Sequence, residues 1–459
     1  MSFPSRLRAL LLALVLLASG AAACAVVPTV GEPAASPHTA PRAQFQVTSP
    51  TVPGRTLTVV PPSPDSTPSV TLDVHLDEPQ QEWWGAGAAL TDSSVQLLQG
   101  RPGAVSALFD PDAAQGARLT MVRLPLSGTD FSASPWTWQP GEPAPREQVA
   151  SARLLRQQVL PLQPRTRVVG APWTAPPSMK TSSSPRGGAL SDSGVDAYGD
   201  LLVRQARWLA RHHVPLWATT LGNEPGYSSD YPTMTMTDDQ MVRLADEVGP
   251  RLDGLGVRLW AVDHNWSDRA RVDAVTSQSA AFDGAAFHCY GGSPDQMAGL
   301  VVPRMVTECT GTTDTPASTF GWDAQNLVAR AVAAGSSGLM MWNLALDPAH
   351  GPVDQGSRWG CKTCRGLVTV TTSGFYREPE FYVLAHLSRA ASPGARVLPT
   401  SGASTVLSTA AFRNSDGTVG VFGQNRTGTT QTVRITTGTT SRTYVVGPGE
   451  LFSYRAPAP

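Results

Sequence analysis

The chain is poor in charge. Asp, Glu, Lys and Arg make up 15% of 459 residues, the net charge is −1, and no basic block occurs. That argues against a nucleic-acid partner. Cysteine is also scarce, at five residues, so no disulfide framework is expected to carry the fold. Cys361 and Cys364 form a lone CxxC with no second pair, which leaves a zinc site without ligands. A local loop disulfide is the plainer reading there. Cys289 and Cys309 fall at neighbouring expected strand ends and read as buried thiols. GAGAAL at Gly85 lacks the third glycine of a dinucleotide loop, and neither a GxSxG elbow nor an HExxH motif is present. No metal and no cofactor is expected.

What is present is apolar and long. The chain is 41% apolar and has room for a barrel-sized domain plus a smaller one. Twelve Trp against eight Tyr is a high tryptophan use. Trp faces stack on sugar rings, but the number alone favours ordinary core filling. Arg6 and Arg8 precede the apolar run from Ala9 to Leu17, then SGAAA and Cys24. That order is a secretory signal peptide, too short to span a membrane. Cys24 after small residues also resembles a bacterial lipoprotein box, although Ala21 stands where that pattern prefers Leu. Membrane attachment through a lipid on Cys24 is the corresponding expectation. Pro, Ser and Thr dominate the stretch that follows, a tether.

The body of the chain alternates. EWWGAGAAL, LTMVRLPLS, TRVVGAPWT, LWATTLGNE, VRLWAVDHN, GAAFHCY, RMVTEC and GLMMWNLAL read as strands, with helical patterns between most of them. In the clearest helix Val195, Tyr198, Leu202 and Leu209 share one face. Eight strands alternating with helices fit an α/β fold of the (β/α)8 TIM-barrel type better than a doubly wound sheet. After a last helix at Phe381–Ala391 come short Thr-, Val- and Gly-rich runs, read as antiparallel strands of a β-sandwich. The strands near Val47 and Val70 join it, so the attached β-sandwich domain is built from both chain ends. The expected boundaries are a signal peptide at 1–23, a linker at 24–43, sandwich strands at 44–78, the barrel at 79–392 and the sandwich again at 393–459.

Barrel enzymes keep their chemistry at the C-terminal strand ends. Those ends carry Arg123 and, just beyond, Asp130; Trp173; Asn223 and Glu224; Asp263, His264 and Asn265; His288 and Tyr290; Glu308; Trp342 and Asn343. Each alone reads as a cap or loop residue, and His288 alone as a satisfied core histidine. Packing does not require the whole set. Two carboxylates, Glu224 after strand four and Glu308 after strand seven, are what glycoside hydrolysis uses: one protonated to donate, one ionised to attack. Arg123 and Tyr290 are placed to keep Glu308 ionised, and Glu224, as general acid, is expected to have a raised pKa.

At these residues the sequence resembles glycoside hydrolase family 30 of clan A, which includes glucosylceramidases, β-1,6-glucanases and related xylanases. The resemblance rests on GAGAALTDSS, VRLPLSGTDFS, APWTAPPSMKTS, LGNEPGY, AVDHN, FHCYGG, VTECTG, WNLALDP, CRGLVTV and EFYVLAHLS, in that order. It implies Glu224 as acid/base, Glu308 as nucleophile and Asn223 hydrogen-bonded to the sugar. It further implies that Asp130, Trp173 and Trp342 bind the terminal sugar, and Arg123, His288 and Tyr290 are expected with them among the substrate-binding residues. Cys289 in FHCY departs from the glucosylceramidases, which usually show Trp there. The resulting expectation is an exported retaining β-glycosidase acting on a β-linked glucoside or glucan, glucosylceramidase-like and so tied to sphingolipid metabolism. An endo-β-1,6-glucanase or xylanase of the same family is the alternative. A non-catalytic carbohydrate-binding cell-surface protein is the reading from another class.

Overall fold

The computed structural model describes residues 43–312 and 315–459. The expected signal peptide, Cys24 and nearly all of the 24–43 linker lie outside the described residues. Eight parallel strands close into a barrel. In chain order they are Gly85–Ala89, Met121–Pro125, Arg167–Ala171, Ala218–Thr220, Arg258–Asn265, Gly284–His288, Arg304–Glu308 and Ser336–Met341. Seven lie inside runs expected from the sequence, and the eighth begins two residues ahead of its run, GLMMWNLAL. The fourth is the shortest. It ends at Thr220 instead of running on to Glu224, and Leu221–Glu224 bend away from the ladder into a turn at Pro225–Gly226.

Alternation along the strands sets what fills the barrel. Met121, Val169, Ala218, Trp260, Ala286, Met305 and Met340 pack together as an apolar layer. Two residues on, the same inward faces become polar at Arg123, Thr220, His288 and Thr307. The barrel is thus dry at its middle and charged at its C-terminal end. Helices cover it outside. In Val195–Arg211 the four residues expected on one face are all buried, and Asp238–Asp253 begins with a capping box between Thr237 and Gln240.

Apart from a small sheet of Ala345–Leu346, Val368–Val370 and Phe375–Arg377, the remaining strands form two facing sheets. One has the order Arg396–Leu398, Leu407–Arg413, Thr418–Asn425, Leu451–Pro457, Gln44–Thr48, Thr58–Val59; the other Thr400–Ser401, Val70–Val74, Gln431–Thr437, Thr440–Val446. Phe45 stacks on Tyr444 across the gap, with ring centroids 4.0 Å apart. The sandwich does use both chain ends. It is not wholly antiparallel, because Val70–Val74 runs parallel to Gln431–Thr437. A strand arriving from the far end of the chain is not tied to its neighbour by a hairpin, so either direction is open to it. The last barrel helix, Pro379–Ala390, packs on this sandwich: its buried His386 bonds Ser453 at 3.0 Å and Thr48 at 2.8 Å.

Candidate active site

Strand irregularities aim the site. Between Val262 and His264 the pairing of the fifth barrel strand shifts register, and Val262 and Asp263 take φ of 68° and 59°. This bulge turns Asp263 inward. A second shift, between Val306 and Glu308, lets Thr307 and Glu308 both reach the mouth. Glu224 itself has φ of 48°, unusual for a residue with a Cβ, and its N–H donates to the Asp263 carbonyl at 3.0 Å. Pro225 follows and removes the next backbone donor.

Arg123 is the hub. It is wholly buried; its Nη1 donates to Glu308 Oε2, and its Nη2 to Asn223 Oδ1 at 2.7 Å and Asp263 Oδ2 at 2.9 Å. Its guanidinium lies over the Trp173 ring, 4.5 Å from the centroid. His288, also fully buried, stands 3.0 Å from Glu224 Oε1 through Nδ1 and 3.1 Å from Asp263 Oδ1 through Nε2. Tyr290 donates its hydroxyl to Glu308 Oε1 at 2.9 Å while the outer part of its ring stays exposed. Arg123 and His288, expected among the sugar contacts, therefore sit beneath the carboxylates and hold them.

These contacts set the charge states. Burial alone would depress His288, but the charge of Glu308 and the hydrogen bonds to Asp263 and Glu224 raise it to about 9. It is an imidazolium at neutral pH, donating from both nitrogens. Burial acts on Asp263 too, yet Arg123 and His288 hold it far below the usual carboxylate range. Burial pushes Glu308 up, against the charges of His288 and Arg123. Burial also acts on Glu224, but the His288 hydrogen bond and charge outweigh it, and Glu224 lies below its ordinary value. That reverses the order expected from the sequence. The reason is the imidazolium on Oε1, which no spacing in the sequence displays. Arg123 and His288 stand as two cations against Asp263 and the Glu224–Glu308 pair, whose carboxyls titrate as a unit.

One atom each from Glu224, His288 and Glu308 lies within 4.8 Å of the others. Three such groups could ligate a cation, but an imidazolium has no lone pair to offer. Two carboxyls and an imidazole so placed can act as acid, base and nucleophile.

Above the carboxylates opens a cavity of about 380 Å3. Asp130, Trp173 and Trp342 form one wall, the two indoles stacked with centroids 5.1 Å apart. Asp130 accepts from the Cys361 N–H at 3.1 Å, and burial raises its carboxyl to about 7. Asn223, Glu224, Tyr290 and Glu308 line the floor and His264 and Asn265 the side. Tyr227, Tyr231 and Trp359 also line it and went unnoticed in the sequence. Tyr227 is the last residue of LGNEPGY and Tyr231 stands four positions on, close enough to have been suspected. Trp359 comes from the loop after strand eight, where no periodicity guides the reading; its N–H is held by Asp230 and Ser357.

Two disulfides brace this end of the barrel. Cys361–Cys364 is the local bridge expected. Cys289 and Cys309, expected as free thiols, are joined to each other. Their strands are adjacent, and a ladder bond from Cys289 N–H to the Glu308 carbonyl at 3.2 Å brings the two Cα atoms to 5.3 Å.

No family model matches the chain. It is 29% identical over 423 residues to "Endo-1,6-beta-D-glucanase neg1" of Aspergillus fumigatus, covering 82% of this chain and 85% of that one. To "Lysosomal acid glucosylceramidase" of Mus musculus it is 24% identical, covering 77% of each. Among solved structures it superposes on the endo-beta1,6-glucanase BT3312 with a TM-score of 0.82 at 23% identity, covering 91% of this chain and 100% of that one. The catalytic domain of GH30 xylanase C from Talaromyces cellulolyticus gives a TM-score of 0.67 at 18% identity, covering 84% of this chain and 99% of that one. The sequence relatives and the shared barrel-plus-sandwich fold agree with the resemblance to glycoside hydrolase family 30, and the chain is an O-glycosyl hydrolase.

Proposed function

We propose that the chain is an exported, retaining endo-β-1,6-glucanase with Glu308 as nucleophile and Glu224 as acid/base. The observation that carries retention is the separation of the two carboxylates, whose nearer oxygens lie within 4.8 Å. Retaining glycosidases hold theirs about 5–5.5 Å apart, whereas inverting ones need about 6.5–9.5 Å to admit a water. In the first step Glu308 attacks the anomeric carbon and Glu224 gives its proton to the departing glycosidic oxygen. In the second, Glu224 takes a proton from water, whose oxygen displaces Glu308 and leaves a β-configured product. Arg123 and Tyr290, one on each oxygen of Glu308, favour its ionised form. Attack by Glu308 requires the pair's proton on Glu224, against the resting bias set by the burial of Glu308 and by His288 beside Glu224. His288 occupies Oε1, so the transferable proton rides on Oε2.

The choice of linkage rests on the relatives. Those named as endo-1,6-glucanases are 28–29% identical to this chain, and those named as glucosylceramidases 24–25%. That ordering favours a β-1,6-glucan over glucosylceramide, the substrate ranked first from the sequence. Asp130, Trp173 and Trp342 would bind the sugar that undergoes attack, with Asn223 beside its reacting carbon. Export is supported by the leader-like residues and by two disulfides, which need an oxidising compartment. No helix among the described residues is long and apolar enough to cross a membrane. Lipid attachment at Cys24 is a separate part of the proposal: Cys24→Ala should release the protein from the membrane fraction, and unchanged association would remove it.

The test is a substrate panel of pustulan, glucosylceramide, xylan and an aryl β-glucoside. Release of short β-1,6-linked oligosaccharides from pustulan is expected. Turnover of glucosylceramide or xylan with pustulan untouched would overturn the linkage.

A further inference from the structure

At the opposite end of the barrel from the carboxylates, where the sandwich meets the last barrel helix, lies a second cavity of about 250 Å3. Three arginines from three separate elements line it: Arg118 before the second barrel strand, Arg389 in the last helix and Arg455 in the last sandwich strand. The one carboxylate in its lining, Asp416, already accepts from Arg455 Nη2 at 2.7 Å. The cavity thus carries two positive charges with no carboxylate partner in its wall.

The other side chains of the lining do not relieve this. Gln44, Gln46, Thr418 and Ser453 are neutral. His386, packed behind Ser453, is held neutral by burial and by the charge of Arg389. Arg389 spends its Nη groups on the carbonyls of Ala114, Gly116 and Ala385, at 2.7–2.9 Å. Among the described residues, the buried Nε of Arg389 and that of Arg118 have no hydrogen-bond partner. An orphaned guanidinium donor is costly, and two at one cavity call for an acceptor. Burial, with Arg118 nearby, lowers Arg389 to about 9; burial lowers Arg118 as well, opposed by Asp112 and Asp110 outside the cavity wall and helped by Arg455. The backbone adds an independent sign. Arg118 has φ of 58°, a left-handed conformation that suits Gly or Asn and costs a branched or long side chain about 1 kcal/mol or more. Such strain persists where the side chain has a use.

We propose that this cavity binds a phosphate group, with Arg118 as its principal ligand. Guanidinium forks match phosphate oxygens, and a phosphate carries about −1.5 to −2 charges at neutral pH, which offsets the two unpartnered cations. The space exceeds that of the anion alone, so the group is either free phosphate or the phosphate of a sugar ester.

The experiment is calorimetric titration of the mature protein with sodium phosphate, with glucose 6-phosphate, and with sodium chloride at matched ionic strength. Saturable heat from phosphate and none from chloride is expected. Arg118→Gln should weaken binding at least roughly tenfold, the loss of one charge-assisted hydrogen bond, and Arg118→Lys by less. Tighter binding of the ester than of inorganic phosphate supports the site and identifies a sugar phosphate as the ligand; the reverse supports it with free phosphate. Glycosidase activity reports folding of the variants, since Arg118 lies far from the carboxylates. Phosphate heats equal to those of chloride, or unweakened binding by a folded, active Arg118→Gln variant, would overturn the proposal.

Discussion

His288 Nδ1 stands 3.0 Å from Oε1 of Glu224, and the imidazole is protonated across the neutral range because its pKa is raised to about 9. A cation beside a carboxyl favours the ionised form, so His288 pulls Glu224 down. Removing the charge must move the proton affinity of the Glu224–Glu308 pair up. His288→Gln is therefore expected to shift the basic limb of the kcat/KM profile to higher pH. It should also lower kcat/KM roughly ten- to a hundredfold, the worth of a charge-assisted hydrogen bond. A basic limb that stays or moves down would contradict this assignment of charge.

Glu224→Gln removes the proposed proton donor and keeps the shape. Loss should be on the order of 10²–10⁴-fold on glucans, whose leaving oxygen needs protonation. It should be much smaller in the first step with activated aryl glucosides, which leave without help. Equal loss on both would place the acid elsewhere.

Arg123 links Glu308, Asn223 and Asp263 in a wholly buried set. Arg123→Met leaves two buried carboxylates without their cation and should cost about 3–5 kcal/mol in urea unfolding. Asp263 makes the acid side specific. Its folded pKa is depressed, so the stability it contributes is present above the ordinary carboxylate pKa and is lost as pH falls through and below that value. The variant should show less of this acid-side loss than the wild type. Wild-type stability in the variant would show that the network contributes nothing.

Cys289–Cys309 closes a loop with a sequence separation of 20, one residue beyond His288 and Glu308. Loops of that length are worth about 3 kcal/mol when closed. The Cys289→Ser, Cys309→Ser variant should melt earlier. It should also lose activity, because Tyr290 and Glu308 flank the bridge. Unchanged melting and unchanged kcat would reduce the bridge to an ornament of the strand ends.

How much of this could be read in the sequence follows from where the periodicity lies. Apolar runs ending in polar residues located all eight barrel strands and the residues at their mouths, because alternation and the position of the last residue survive in a linear string. Asp263 was visible as a strand-end residue, but the bulge that turns it onto Arg123 was not, since a register shift leaves no mark in composition. The Cys289–Cys309 bridge was missed because neighbouring strand ends are close only once the barrel is closed. Trp359 was missed because its loop has no period and is placed by Asp230, over a hundred residues away. The order of the carboxyl pKa values failed for the same kind of reason: His288 reaches Glu224 across 64 positions.

The central claim is that Glu308 is the nucleophile of a retaining mechanism. The most direct measurement is peptide mapping after inactivation with a 2-deoxy-2-fluoro β-glucoside bearing a good leaving group. The fluorine slows release of the glycosyl ester and lets it accumulate. The account predicts one labelled peptide, spanning Arg304–Glu308, with the mass of the fluorosugar on Glu308. A label on Glu224, Asp130 or any other carboxylate, or inactivation without any covalent adduct, would contradict it.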